Sequence, residues 1–112
     1  MQNKDWTDTL DASITVCSKE GEILYMNEAS AVHYRKDGGR TLIGKNLVDC
    51  HPGQSKNVVT AMLQSPNTNI YITEKKDQST MVYQAPWFHD GNHAGIVEIL
   101  IPLPKKIRRV RR

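Results

Sequence analysis

The sequence predicts an α+β domain in which two strands, two helices and three further strands follow one another. Three observations carry that reading: a short hairpin of strand-forming residues near the start, an apolar stripe at helical spacing in the middle, and three strand-like runs at the end. The chain has 112 residues, 38% of them hydrophobic and 24% charged, which fits one domain of soluble, globular composition.

Residues 13–18 (SITVCS) and 23–26 (ILYM) are the first two strands. Lys19-Glu20-Gly21-Glu22 joins them, with Gly21 free to take the positive φ of a tight loop. Asn27 follows at once and heads Glu28-Ala29-Ser30-Ala31-Val32, an asparagine cap with an acid in the first turn, so a short helix runs to about Tyr34. Residues 35–41 (RKDGGRT) combine charge with paired glycines and are expected to form a mobile surface loop. A second helix is expected over residues 55–64, where Val58, Val59, Met62 and Leu63 make one stripe. Strands are expected over residues 69–75, 80–88 and 94–101, with turns at Lys76-Asp77-Gln78 and His89-Asp90-Gly91-Asn92. The last strand is apolar on both faces: Val97, Ile99 and Ile101 alternate with Ile96 and Leu100, and Glu98 lies between those two. Trp6, Leu10, Ile96 and Leu100 are therefore expected at a cap or dimer face, covered by the N-terminal segment or a second subunit.

Six of the fifteen basic residues fall in the last eight positions, Lys105, Lys106, Arg108, Arg109, Arg111 and Arg112. The rest of the chain holds nine basic against twelve acidic residues, so a mildly acidic body carries a strongly basic tail. Binding of nucleic acid or an anionic surface is expected of the tail alone. No run approaches the ~18 apolar residues of a membrane span, and the first ten residues lack a secretion signal, so a cytoplasmic location is expected. Cys17 and Cys50 are too few for a disulfide framework and are expected as thiols.

Cys50 beside His51 is the pattern of an activated thiolate, which defines an alternative reading as a thiol-dependent redox enzyme. Neighbouring side chains usually diverge, however, and burial of Cys50 with His51 packing at a helix start is the reading preferred. His89 and His93 are four apart, but Asp90-Gly91-Asn92 between them marks a hairpin rather than a metal-binding helix, and no metal is expected. Asp37-Gly38-Gly39-Arg40 lacks the lysine and serine of a phosphate loop.

The order of these features resembles a PAS domain. Gly21 followed by Ile23-Leu24-Tyr25-Met26-Asn27-Glu28-Ala29 resembles the family's strand running into an Asn-headed helix. Leu42-Ile43-Gly44-Lys45-Asn46-Leu47 through Pro52 is similar to its Ile-Gly-Lys-x-Leu segment, and Gly95-Ile96-Val97-Glu98-Ile99 to its closing strand. Cys50-His51-Pro52 resembles a Cys-His-Pro subgroup, whereas Pro102-Leu103-Pro104 departs from the usual Asp-Ile-Thr ending.

The resemblance implies a five-stranded antiparallel sheet with short helices packed on one face. It divides the chain into a cap segment (1–9), a PAS domain (10–104) and the basic tail (105–112). It also implies a cavity lined by Tyr25, Val32, Tyr34, Ile43, Leu47, His51, Val59, Met62, Leu63, Ile72 and Tyr83, which holds haem, flavin, a small metabolite or nothing. The function expected is that of a non-enzymatic sensory module in signal transduction, binding a small ligand or a partner protein. It would act as a homodimer or through a separate signalling partner, since no output module follows in these residues. An adaptor that binds nucleic acid through its tail is the other alternative.

Overall fold

The computed structural model describes residues 5–46 and 53–112, and the side chains of all of these except residues 5 and 53–58. A one-turn helix α1 (Asp5–Asp8) precedes β1 (Ser13–Ser18) and β2 (Ile23–Met26). The two strands have the bounds their sequence predicts, and the turn between them closes through Gly21 at φ 91°, whose N–H donates to Ser18 O over 2.9 Å. The helix α2 (Glu28–His33) starts at Asn27, whose side-chain oxygen accepts from the Ser30 N–H.

Asn27 is fully buried and every hydrogen-bonding position of its amide is used. Its Oδ1 accepts from the N–H groups of Ile14 (2.9 Å) and Ser30 (3.0 Å), and its Nδ2 donates to the carbonyls of Thr7 (2.8 Å) and Ala12 (2.9 Å). One side chain thereby fixes the N-terminal segment, β1 and α2 to one another. The hydroxyls of Thr15 and Ser30, both buried, share a further bond of 2.6 Å beneath it.

Residues 35–41 differ from the loop expected. They form most of two 3-10 turns, Arg35–Asp37 and Gly39–Leu42, and the chain reverses between them at Gly38, φ 123°. Thr41 Oγ1 donates to Gly38 O at 2.7 Å and Arg40 donates to Met26 O at 2.9 Å, so the segment lies at the surface as expected but is turned and hydrogen-bonded. The helix α3 (Gly53–Gln64) then leads to β3 (Asn69–Lys75), β4 (Gln78–His89) and β5 (Asn92–Leu103). The last two strands are longer than expected because pairing runs right up to two-residue turns, Lys75 opposite Gln78 and His89 opposite Asn92. Lys76, Asp90 and Gly91 take the positive φ those turns need.

The five strands form one antiparallel sheet in the order β2-β1-β5-β4-β3. Register divides its side chains between two faces. On the inner face lie the rows Cys17–Ile96–Pro86, Thr15–Glu98–Gln84–Asn69 and Ser13–Leu100–Val82–Tyr71; the outer face carries Val16–Val97–Ala85, Ile14–Ile99–Tyr83–Ile70 and Ile101–Met81–Ile72. Cys17, Ile23, Met26, Leu42, Val59, Met62, Leu63 and Ile96 make one core cluster, with Tyr34 packed against it. The cluster belongs to the β2–β1–β5 side of the inner face. Ile96 and Leu100, expected at a cap or dimer face, instead point inward and are nearly wholly buried; Val97, Ile99 and Ile101 supply the opposite face. Alternation separates two faces of a strand but does not say which of them the helices cover.

Gly95 adopts φ 155°, and a Cβ there would stand 1.9 Å from Cys17 O. The bare backbone also lets Trp87 on β4 reach across β5, its indole N–H donating to that same carbonyl at 2.9 Å.

Candidate functional site

The polar centre of the inner face is Glu98. It stands in β5 between Ile96 and Leu100, and the strand's period of two turns all three inward. Tyr34, at the C-terminal end of α2, donates its hydroxyl to Glu98 Oε1 at 2.8 Å, and Gln84 Nε2 on β4 donates to Oε2 at 2.9 Å. Asn69 Nδ2 on β3 donates in turn to Gln84 Oε1 at 3.1 Å. A directed chain of amides thus runs from the edge strand into one carboxylate.

Beside this chain the inner face opens into a cleft of about 490 Å³. Its walls include Tyr34, Tyr71, Thr80, Val82, Glu98 and Leu100, with His33, Thr73, Lys75 and Gln78 completing the lining. Burial pushes the Tyr71 hydroxyl above the usual tyrosine range and the Glu98 charge adds to the effect, so Tyr71 stays a neutral hydroxyl at ordinary pH. A second cleft of about 460 Å³ adjoins the first and shares His33, Thr80 and Leu100 with it; Asp8, Leu10, Asp11, Ser13, Glu28 and Val32 are among its walls. Ser13 Oγ, buried in that wall, has no hydrogen-bond partner among the described residues.

Of the residues expected to line a cavity, Tyr34 lines the first cleft and Val32 the second. Val59, Met62 and Leu63 are packed in the core cluster and border neither opening. Ile43 is exposed. Tyr25, Ile72 and Tyr83 belong to the other side of the sheet: Tyr25 pairs with Val16, Tyr83 with Ile99, and Ile72 with Met81. The Tyr25 hydroxyl bonds Thr7 Oγ1 at 2.7 Å. Leu47, Cys50 and His51, with the rest of the Cys-His-Pro motif, lie outside the described residues.

Cys17 is a free, buried thiol; burial pushes it up, the Ile96 backbone hydrogen bond opposes this, and the Glu98 charge raises it further. It is the opposite of an activated nucleophile. His93 Nε2 lies 3.0 Å from Gly95 O and its ring packs on Phe88, whereas His89 pairs with Asp90, so the hairpin histidines serve separate contacts. No group of three metal-ligating side chains is gathered among the described residues. Trp6 is exposed, Leu10 borders the second cleft, and the basic tail from Lys105 to Arg112 is exposed without regular structure. Glu98, Gln84, Asn69 and Tyr71 were not singled out as site residues from the sequence; a carboxylate at an inward position of an apolar strand was the available signal.

The sequence matches no family model and no curated protein. The structure is similar to that of a C-terminal domain from Streptococcus mutans, with a TM-score of 0.66 at 18% identity, covering 84% of this chain and 77% of the other. It is similar to a PAS domain from Colwellia psychrerythraea (TM-score 0.61, 19% identity, 88% and 92% covered). A third likeness is to the Aer2 receptor of Vibrio cholerae, described as a dual PAS-haem oxygen sensor (TM-score 0.59, 17% identity, 83% and 95% covered). The chain has the PAS fold, with the five-stranded antiparallel sheet and short helices that its sequence predicts.

Proposed function

We propose that this chain is a non-enzymatic sensory module that binds a small ligand on the inner face of its sheet and passes the event on by self-association or contact with a separate signalling protein. The observation that carries the reading is the position of β5. Its inward Glu98 and Leu100 line the cleft, while its outward Val97, Ile99 and Ile101 form the middle of an apolar face. Ile70 and Ile72 extend that face, each more than half exposed. A ligand that moves β5 therefore acts on both sides of the sheet at once, which is the coupling a population shift requires.

The likeness to a receptor's PAS module supports the sensory reading. Among the described residues no helix is long and apolar enough to cross a membrane, and a buried free Cys17 fits the reducing, cytoplasmic setting proposed. The exposed tail is proposed to add weak, salt-sensitive attachment to polyanions, which truncation after Pro104 abolishes if the proposal holds.

Native mass spectrometry of the freshly purified chain tests the main reading. A dimer, or a chain carrying a discrete extra mass, supports it. A bare monomer whose spectrum also responds to no added ligand or partner contradicts it.

A further inference from the structure

We infer that the inner-face cleft takes a small organic cation, with an ammonium head against Glu98 and an apolar stem along the tyrosine and leucine walls. The inference rests on the sensory reading above and names the chemistry of its ligand. Glu98 is only 6% exposed, and its two partners, the Tyr34 hydroxyl and the Gln84 amide, are neutral. The ion pairs among the described residues join Arg40 to Asp8 and Glu28, and His89 to Asp90; none involves Glu98. Among the described residues no cation is paired with this buried carboxylate, so an ammonium group brought by a ligand would find a partner there. The carboxylate also keeps room for one. Two carboxylate oxygens offer about four acceptor directions, and the protein uses one at each oxygen.

The surroundings favour the same class of ligand. Tyr34 and Tyr71 both line the cleft, and aromatic rings are side chains on which ammonium groups can rest. Leu100 and Val82 offer apolar wall for a short carbon chain. In the adjoining cleft Asp8 and Glu28 are paired with Arg40 and Asp11 is offset by Arg35, but it holds the buried Ser13 hydroxyl that no described residue satisfies. Leu100, which pairs with Ser13 across the ladder, lines both openings, so a second polar group on the same ligand has a waiting partner next door. An anion of the same size would be repelled by the Glu98 carboxylate. Lys75 is the exception to the pattern, an exposed cation in the lining that opposes a positively charged ligand.

A matched four-carbon series tests the inference: 1,4-diaminobutane, 1,4-butanediol and succinate, each titrated into the full chain while backbone amide resonances are followed. The diamine is expected to shift the amides of Tyr71, Thr80, Val82, Glu98 and Leu100, and the diol and diacid are not. Glu98→Gln keeps the shape and removes the charge, so it should weaken the diamine by about tenfold or more. Lys75→Ala leaves the core untouched and should strengthen it about twofold, through loss of a surface repulsion. Equal response to succinate or butanediol, or a Glu98→Gln chain that binds diamine like the parent, overturns the cation while leaving a ligand-binding cleft. Silence of the cleft amides to all three overturns the cation as well, and combined with a bare, unresponsive monomer in native mass spectrometry it removes the sensory reading too.

Discussion

The two edges of the sheet are built differently. At one edge β2 has only four residues, and the segment just before the undescribed stretch covers it: Ile23 N–H donates to Lys45 O, Gly44 N–H donates to Ile23 O, and Glu22 bridges to Asn46. At the other edge β3 has seven residues, almost all exposed, and no described strand pairs with its far side. The inner face repeats the contrast. Towards β2 it is filled by the core cluster and locked by Asn27; towards β3 it opens into the cleft around Glu98. The buried core lies on the closed side, and the ligand proposed above would bind on the open one, the division expected of a module that responds without unfolding.

Substitutions sharpen that contrast. Asn27→Ala should have the largest effect, about 3–4 kcal/mol in urea unfolding, because it takes the partner from two N–H groups and two carbonyls at once. A loss under 1 kcal/mol would mean that Asn27 does not hold the closed side together. Trp87→Phe removes the indole hydrogen bond to Cys17 O together with the five-membered ring, so about 1–2 kcal/mol of destabilisation is expected from the same measurement. Arg40→Ala should cost about 0.5–1 kcal/mol: its ion pairs with Asp8 and Glu28 are half-exposed and screened, and its bond to Met26 O contributes most of what remains.

The smallest effect is expected on the open side. Glu98→Gln should change stability by less than about 1 kcal/mol and in the stabilising direction, since it removes a desolvated charge while the Tyr34 hydroxyl turns to suit the new amide. Strong destabilisation by Glu98→Gln would make Glu98 a structural residue and erase the distinction between the two sides.

Much of the closed side was legible in the sequence, because its signals are local. The bounds of β1 and β2, the Gly21 turn and the Asn27 cap each follow from a few neighbouring residues. The site was less legible because it depends on which side of each strand faces the helices. Tyr25, Ile72 and Tyr83 have the size and character of cavity residues, yet register places them outside; Ile96 and Leu100 are inside for the same reason. The register shift in β1 between Val16 and Cys17 makes the parity of β2 harder to count, since Leu24 has no partner in that ladder. Glu98 went unread because a charge in an apolar strand looks solvent-facing until its partners on α2 and β4 are known.

Amide hydrogen exchange, resolved by residue, tests the two-sided account most directly. The account predicts that amides of β1, the part of β5 that pairs with β1 and the first turn of α2 exchange only through global unfolding, whereas those of β3 and the β3–β4 turn exchange through smaller openings that a cleft ligand suppresses. Equal protection on both sides, or weaker protection around Asn27 than along β3, would contradict it.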